Sequence, residues 1–102
     1  MAEFIIAYHG GGAPESPEAA AEQRDKWQAW LEGLGDAVVN AGTPLKGSRL
    51  ITSLGVGADG GPNPLTGFSI VKAGSMDEAL NMAKVCPFLS MGTIEVAEVL
   101  EM

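Results

Sequence analysis

The chain of 102 residues is long enough for one domain with a single core, and we interpret residues 1–102 as that one domain. Thirteen acidic residues against six basic ones give a net charge of -7, so nucleic acid and anionic membrane surfaces are poor partners. One cysteine, Cys86, and the lack of a signal-like or membrane-spanning apolar run predict a cytoplasmic protein.

The first predicted element is a strand from Phe4 to Tyr8, which is rich in β-branched and aromatic residues and is followed by glycines. Alternation divides its side chains between two faces, with Phe4, Ile6 and Tyr8 on one and Ile5, Ala7 and His9 on the other. Both faces are largely apolar, so we expect this strand in the centre of a sheet. The only histidine of the chain, His9, lies at the end of this strand, directly before the glycines 10–12.

A helix is predicted to begin after Ser16, where an N-cap residue precedes a proline, and to run to about Gly33. Its apolar stripe should cover one face of the sheet. An extended segment then begins at residues 37–39, is interrupted at Gly42 and Pro44, and resumes over residues 48–54. We interpret the two pieces as one long, bent strand. Residues 55–66 are predicted to form a loop, because half of them are glycine or proline.

The remaining elements are predicted to be a strand over 67–73, a helix from a Ser75 capping box to about Val85, and a strand over 93–100. The order strand, helix, strand, strand, helix, strand predicts an α+β fold, the ferredoxin-like βαββαβ antiparallel sheet with two helices on one face. The other face, with Ile5 and Ala7, would be left bare. We therefore expect a homodimer in which two sheets pack face to face.

Strand polarity brings His9, the glycines 10–12, the 55–66 loop and the start of the first helix to one end of the sheet, where a pocket is expected. His9 has two interpretations here. It is a catalytic acid/base facing that pocket, because imidazole can exchange a proton near neutral pH, or a structural residue bonded to loop backbone. One histidine and one cysteine, with no carboxylate cluster at ligand spacing, predict no metal site and no cofactor.

Three further residues are candidates for binding a small polar or aromatic substrate. Arg49 is a lone cation on an otherwise apolar or hydroxylic strand, where it could hold a carboxylate or pair with a neighbouring acid. Ser69 offers a hydroxyl on the next strand. Trp27 belongs to the helical stripe and is interpreted either as core or as a pocket wall.

Two glycine motifs match known patterns by chance. Residues 55–60 read G-x-G-x-x-G, but the proline-rich stretch that follows cannot form the helix that a dinucleotide site requires. Residues 9–12 read HGGG, yet the chain has no G-x-S-x-G elbow and is too short for a hydrolase fold. Neither motif therefore assigns an activity.

Several stretches resemble the YCII-related (DGPF domain) proteins, and together they cover nearly the whole chain. They are the W-x-x-W helix at 27–30 running into GLGD at 33–36, AGTPL at 41–45, GFSIV at 67–71, SMDEA at 75–79, and Pro87 ahead of GTIEV at 92–96. The resemblance implies a dimeric α+β barrel, usually bacterial, with a pocket between sheet and helices and a biochemical role that is mostly unassigned.

The chain departs from that family at three places. The DGPF signature is degenerate, since Asp59-Gly60-Gly61-Pro62 is followed by Asn63. Members with a proposed enzymatic dyad place a histidine on the first helix and an aspartate before the proline that follows the second helix. Arg24 and Cys86 occupy those positions here, so the dyad does not carry over, and the family name alone does not support a lyase or dehydrochlorinase assignment. Two hypotheses remain: a small proton-transfer enzyme without a cofactor, and a non-catalytic dimeric module that binds a small molecule.

Overall fold

The computed structural model describes residues 1–11 and 15–101 of the chain. Its two longer helices are α1 (Pro17–Leu34) and α2 (Met76–Ala83), and 3₁₀ turns occupy Gly35–Ala37 and Pro87–Ser90. The strands are β1 (Ala2–Gly10), β2 (Val38–Pro44), β3 (Ile51–Thr52), β4 (Gly55–Val56), β5 (Leu65–Ala73) and β6 (Gly92–Glu98).

Four strands form one antiparallel sheet in the order β2-β5-β1-β6. The first strand of the chain thus lies between the third and fourth strands of the sheet, which confirms the predicted ferredoxin-like α+β fold. Trp30 of α1 and Ala79 of α2 pack in one core cluster with Phe4, Ile6 and Val71, so both helices cover the same face. Phe4, Ile6 and Val71 are fully buried there.

The local signals that begin the helices act as predicted. The Ser16 hydroxyl accepts a hydrogen bond from the Ala19 N–H at 3.1 Å, and Ser75 accepts one from Glu78 at 3.2 Å. These bonds satisfy backbone donors that the first turn of a helix leaves without partners. The indole of Trp30 then ties the two helices together, because its N–H donates to the Met82 carbonyl at 3.0 Å.

The prediction of one long, bent strand over residues 37–54 is wrong. β2 ends at Pro44, which has no N–H for a ladder, and Gly47 turns the chain with a φ of 58°. Ile51 and Thr52 pair instead with Gly55 and Val56 in a separate two-stranded hairpin. The stretch predicted as a loop over 55–66 accordingly begins with β4 and ends where β5 starts at Leu65.

The second face of the main sheet has no covering element within the described part of one chain. Register places Ile5 opposite Ile70 and Ala7 opposite Phe68, and all four are only partly buried. This surface is named the open face below. The predicted homodimer would cover it, and stays a prediction.

Candidate functional site

A cavity of about 530 Å³ lies between α1 and the end of the sheet where β1 finishes. This is the end at which strand polarity predicts a pocket, and the cavity is on the helix-covered face. Its lining comes from β1, α1, the end of β2, the start of β5 and the segment after α2. The lining residues are Tyr8, Ala20, Gln23, Arg24, Trp27, Ala41, Gly42, Thr43, Pro44, Thr66, Gly67, Phe68, Phe88 and Met91.

Three aromatic rings form one wall of the cavity. The ring centroids of Tyr8 and Trp27 are 4.9 Å apart, with an interplanar angle of 70°, and those of Tyr8 and Phe88 are 5.2 Å apart. Both spacings lie in the range favoured by edge-to-face or tilted aromatic pairs. Trp27 also contacts Trp30 at 5.2 Å, so the wall is anchored to the core.

The Tyr8 hydroxyl belongs to a buried chain of hydrogen bonds. Ser69, which is fully buried, has one hydroxyl proton and donates it to the Ala41 carbonyl at 2.8 Å. Tyr8 therefore donates its own proton to the Ser69 oxygen, also at 2.8 Å. Burial raises the pKa of Tyr8 above its ordinary value, because the buried surroundings disfavour the charged phenolate. Tyr8 is thus a neutral phenol whose oxygen can still accept a hydrogen bond.

A bulge in β2 makes this arrangement possible. Pairing of β2 with β5 shifts register between Asn40 and Thr43, and Gly42 lies within the bulge with a φ of 79°. A Cβ atom at Gly42 would overlap the Phe68 carbonyl, so the close approach of the two strands requires glycine. The bulge presents the Ala41 carbonyl to Ser69.

Arg24 is the only charged residue among the described lining residues. It lies one helical turn before Trp27 on α1 and is exposed. The positions three and four residues away on either side are Ala20, Ala21, Trp27 and Gln28, so no carboxylate of its own helix is a neighbour at these spacings. Nor does any other described residue form a salt bridge with it. The cavity therefore offers one positive charge that has no salt-bridge partner among the described residues.

His9 does not line this cavity, although it is adjacent to Tyr8 in the sequence. Its side chain is on the open face, with 22% of its surface exposed. Nδ1 lies 3.2 Å from the Asn63 carbonyl oxygen and Nε2 lies 3.2 Å from Glu95 Oε1. A neutral imidazole has one N–H and can donate to only one of these groups. This contact with loop backbone is the arrangement described by the structural interpretation of His9.

Of the other predicted site residues, some lie at the cavity and one lies away from it. Trp27 lines the cavity, and Ser69 reaches it only through the Tyr8 hydroxyl. Arg49 lies outside the lining, near the β3-β4 hairpin, where its Nε donates to the Gly57 carbonyl at 2.8 Å. The structure thus brings Trp27 and Ser69 to one site and leaves Arg49 and His9 elsewhere. The binding and catalytic roles of all four stay predictions.

Sequence reasoning missed Tyr8, Arg24 and Phe88 as lining residues. A signal for Tyr8 was present, since alternation puts it on the helix-facing side at the glycine end of β1. For Arg24 the only signal in the sequence was its position one helical turn before Trp27. Nothing local marks Phe88, which the 3₁₀ turn after Pro87 carries to the cavity.

The glycines after His9 allow the chain to leave the strand tightly. Gly10 and Gly11 have φ values of 76° and 81°, which side chains other than glycine rarely adopt. Gly12, the last of the predicted three, lies outside the described residues.

Cys86 is buried beside the core and does not line the cavity. Burial raises the pKa of its thiol to about 11, and a hydrogen bond to backbone opposes this only in part. Within residues 1–11 and 15–101, no three His, Cys, Asp or Glu side chains are grouped so that they could hold a metal ion. No helix in these ranges is long and apolar enough to cross a membrane.

Comparison with known proteins agrees with this architecture. A search of curated proteins gives no match. Among solved structures, 5-chloro-2-hydroxyhydroquinone dehydrochlorinase from Burkholderia phenoliruptrix, in complex with 2,5-dihydroxybenzoquinone, is similar in fold. The alignment has a TM-score of 0.61 and 22% identity, and it covers 98% of this chain and 95% of that one. The family model described as the YCII-related domain matches residues 3–102. The predicted resemblance is thereby confirmed, and the chain belongs to the YCII-related family.

Proposed function

We propose that this protein binds a small aromatic or quinone-like metabolite with an acidic oxygen in the cavity beside Tyr8. The observation that carries the proposal is an aromatic wall, formed by Tyr8, Trp27 and Phe88, next to Arg24, the one charged residue of the described lining, which forms no salt bridge with a described residue. The volume of about 530 Å³ lies within the range of small-molecule sites.

The lining suggests how such a ligand would be oriented. Its ring would pack against Trp27 and Phe88, where aromatic contacts add to the burial of apolar surface. A carboxylate or ionised hydroxyl would face the Arg24 guanidinium, which presents several donors in one plane. A ligand hydroxyl near the wall could donate to the Tyr8 oxygen, because that oxygen has spare acceptor capacity.

The similar solved structure supports the choice of ligand class but not of one ligand. It contains 2,5-dihydroxybenzoquinone, a planar ring with acidic hydroxyl groups. At 22% identity the likeness shows the fold alone, so this compound is a probe for the cavity and not an assigned metabolite.

We favour binding over proton-transfer catalysis at this cavity. The described lining contains no imidazole and no carboxylate, and its one phenol has a raised pKa that keeps it protonated. His9 is left out of the proposed site because its side chain is on the other side of the sheet. The positions of the family dyad hold Arg24 and Cys86, neither of which is a general base here.

We also propose that the protein is a homodimer that covers the open face. Ile5, Ala7, Phe68 and Ile70 form a contiguous apolar surface there, and such surfaces are seldom left free in water. Sedimentation at micromolar concentration should give a mass of about twice 10.5 kDa. A mass of 10.5 kDa, that of the monomer, would contradict the dimer and leave the ligand proposal unaffected.

Calorimetric titration with 2,5-dihydroxybenzoquinone and with benzoate tests the binding proposal, and two arginine variants provide matched controls. Arg24→Gln should weaken binding about tenfold, since a charge-assisted bond at an exposed site is lost. Arg49→Gln removes the same charge outside the cavity and should change affinity less than about twofold. Equal effects of the two variants would contradict the proposed site. A larger effect of Arg49→Gln would instead support the role first predicted for Arg49.

A further inference from the structure

The hydroxyl groups of the cavity lining have no proton left for a ligand. The described lining contains three of them, on Tyr8, Thr43 and Thr66. Tyr8 donates to Ser69 at 2.8 Å, because the Ser69 proton is already given to a carbonyl. Thr66 donates to the Tyr8 carbonyl oxygen at 3.2 Å. Thr43 donates to the Pro44 carbonyl oxygen at 3.3 Å. Since a hydroxyl has one proton, each of the three presents only lone pairs to a ligand.

The helix side of the cavity has the opposite polarity. Its polar lining residues are Gln23, Arg24 and Trp27, all on α1. The guanidinium and the indole are donors and have no acceptor atom. Gln23 gives one amide N–H to the Pro87 carbonyl at 3.3 Å and keeps a second N–H and an oxygen, so it fits either partner. The donors of the described lining side chains therefore lie on α1, and the hydroxyls that can only accept lie on β1, β2 and β5.

We propose that the cavity selects aromatic acids that carry a free hydroxyl group on the ring edge opposite the acid. The ionised acid would face Arg24 on α1, and the hydroxyl would donate to the Tyr8 oxygen on the sheet. The ring between them would contact Trp27 and Phe88, which belong to the aromatic wall. The inference rests on the proposed function and adds to it which oxygen of the ligand is ionised and which keeps its proton.

Two changes to such a ligand should remove the selectivity. An ether oxygen in place of the hydroxyl brings lone pairs against lone pairs, and a site built to accept a proton rejects an analogue without one. A hydroxyl directly beside the acid bonds to the carboxylate of its own molecule, so its proton is not available to Tyr8. The ortho isomer of a hydroxybenzoate is thus a control with the same composition.

Calorimetric titration with benzoate, the three hydroxybenzoates and their methoxy counterparts tests this selectivity. At neutral pH the carboxylate of each is ionised and the phenolic hydroxyl keeps its proton. The meta or the para hydroxybenzoate should bind about tenfold more tightly than benzoate, since one buried hydrogen bond is gained. Its methoxy counterpart should bind no more tightly than benzoate, and the ortho isomer should gain less than about twofold. A methoxy or ortho compound that gains as much would overturn the inference.

The Tyr8→Phe variant identifies the acceptor. It keeps the ring of the aromatic wall, and Ser69 still donates to the Ala41 carbonyl. The readout is the ratio of the benzoate and hydroxybenzoate dissociation constants on one variant, which cancels any general loss of affinity. This ratio should fall from about ten to below about three. Thr93→Val, which removes a hydroxyl opposite His9 on the open face, should keep the ratio of the wild type.

The possible failures are distinguishable. If none of these acids binds to the wild type, both the proposed function and the inference are overturned. If benzoate binds and no hydroxyl isomer improves on it, the inference alone is overturned. A Tyr8→Phe variant that keeps the full ratio also overturns the inference alone. The ligand series on the wild type decides the matter by itself if that variant does not fold.

Discussion

Replacing Trp30 with alanine should lower the free energy of unfolding by roughly 3 to 5 kcal/mol. The indole is only 8% exposed and packs in the cluster that contains Phe4, Ile6 and Ala79. Truncation removes these contacts, opens a cavity between α1 and the sheet, and leaves the Met82 carbonyl without its donor. The lost hydrogen bond accounts for about 1 kcal/mol of the total, and packing accounts for the rest.

Urea unfolding followed by circular dichroism at one pH measures this loss, and two further variants separate its parts. Trp30→Phe keeps a ring but not the N–H donor, so it should cost roughly 1 to 2 kcal/mol and remains measurable if the alanine variant does not fold. Ser53→Ala at the exposed turn of the β3-β4 hairpin is the control and should change stability by less than about 0.5 kcal/mol. A Trp30→Ala loss no larger than that of Ser53→Ala would refute the assignment of the core.

Two other predictions concern titratable residues. Stability should fall as the pH rises from 9 to about 11, because burial raises the pKa of the Cys86 thiol from 9.0 to about 11 and the unfolded chain loses this proton first. Urea titrations across this range should show a smaller fall for Cys86→Ala, and an unchanged fall would contradict the assignment. His9→Gln should cost less than about 1 kcal/mol, since the Glu95 contact is exposed, and should leave calorimetric ligand affinity unchanged. Lost affinity would restore the predicted role of His9.

The elements that follow from local chemistry could be predicted from the sequence. Ser16 and Ser75 cap helices because a hydroxyl before the first turn satisfies free N–H groups, and this needs no knowledge of the fold. Alternation in β1 correctly separated the buried Phe4, Ile6 and Tyr8 from the residues of the open face. The order of these elements was sufficient to predict the sheet topology.

Features that depend on distant contacts could not be predicted in the same way. The β3-β4 hairpin resembles a continuation of β2 in composition, and only the pairing of Ile51 with Val56 distinguishes the two. The candidate site was sought at His9 because of its chemistry, whereas alternation already placed His9 on the side away from the helices. The cavity depends on the Gly42 bulge and on the position of Phe88, which no local pattern specifies.

Nuclear magnetic resonance of the uniformly ¹⁵N-labelled protein, titrated with 2,5-dihydroxybenzoquinone, tests the central claim most directly. The chain of 10.5 kDa is small enough, even as a dimer, for the backbone amide resonances of most residues and the indole resonances of the two tryptophans to be followed. Binding in the cavity predicts that the largest shift changes cluster at Tyr8, Arg24, the Trp27 indole, Gly67 and Phe88. Changes confined to His9, Asn63, Thr93 and Glu95 on the other side of the sheet would contradict the account.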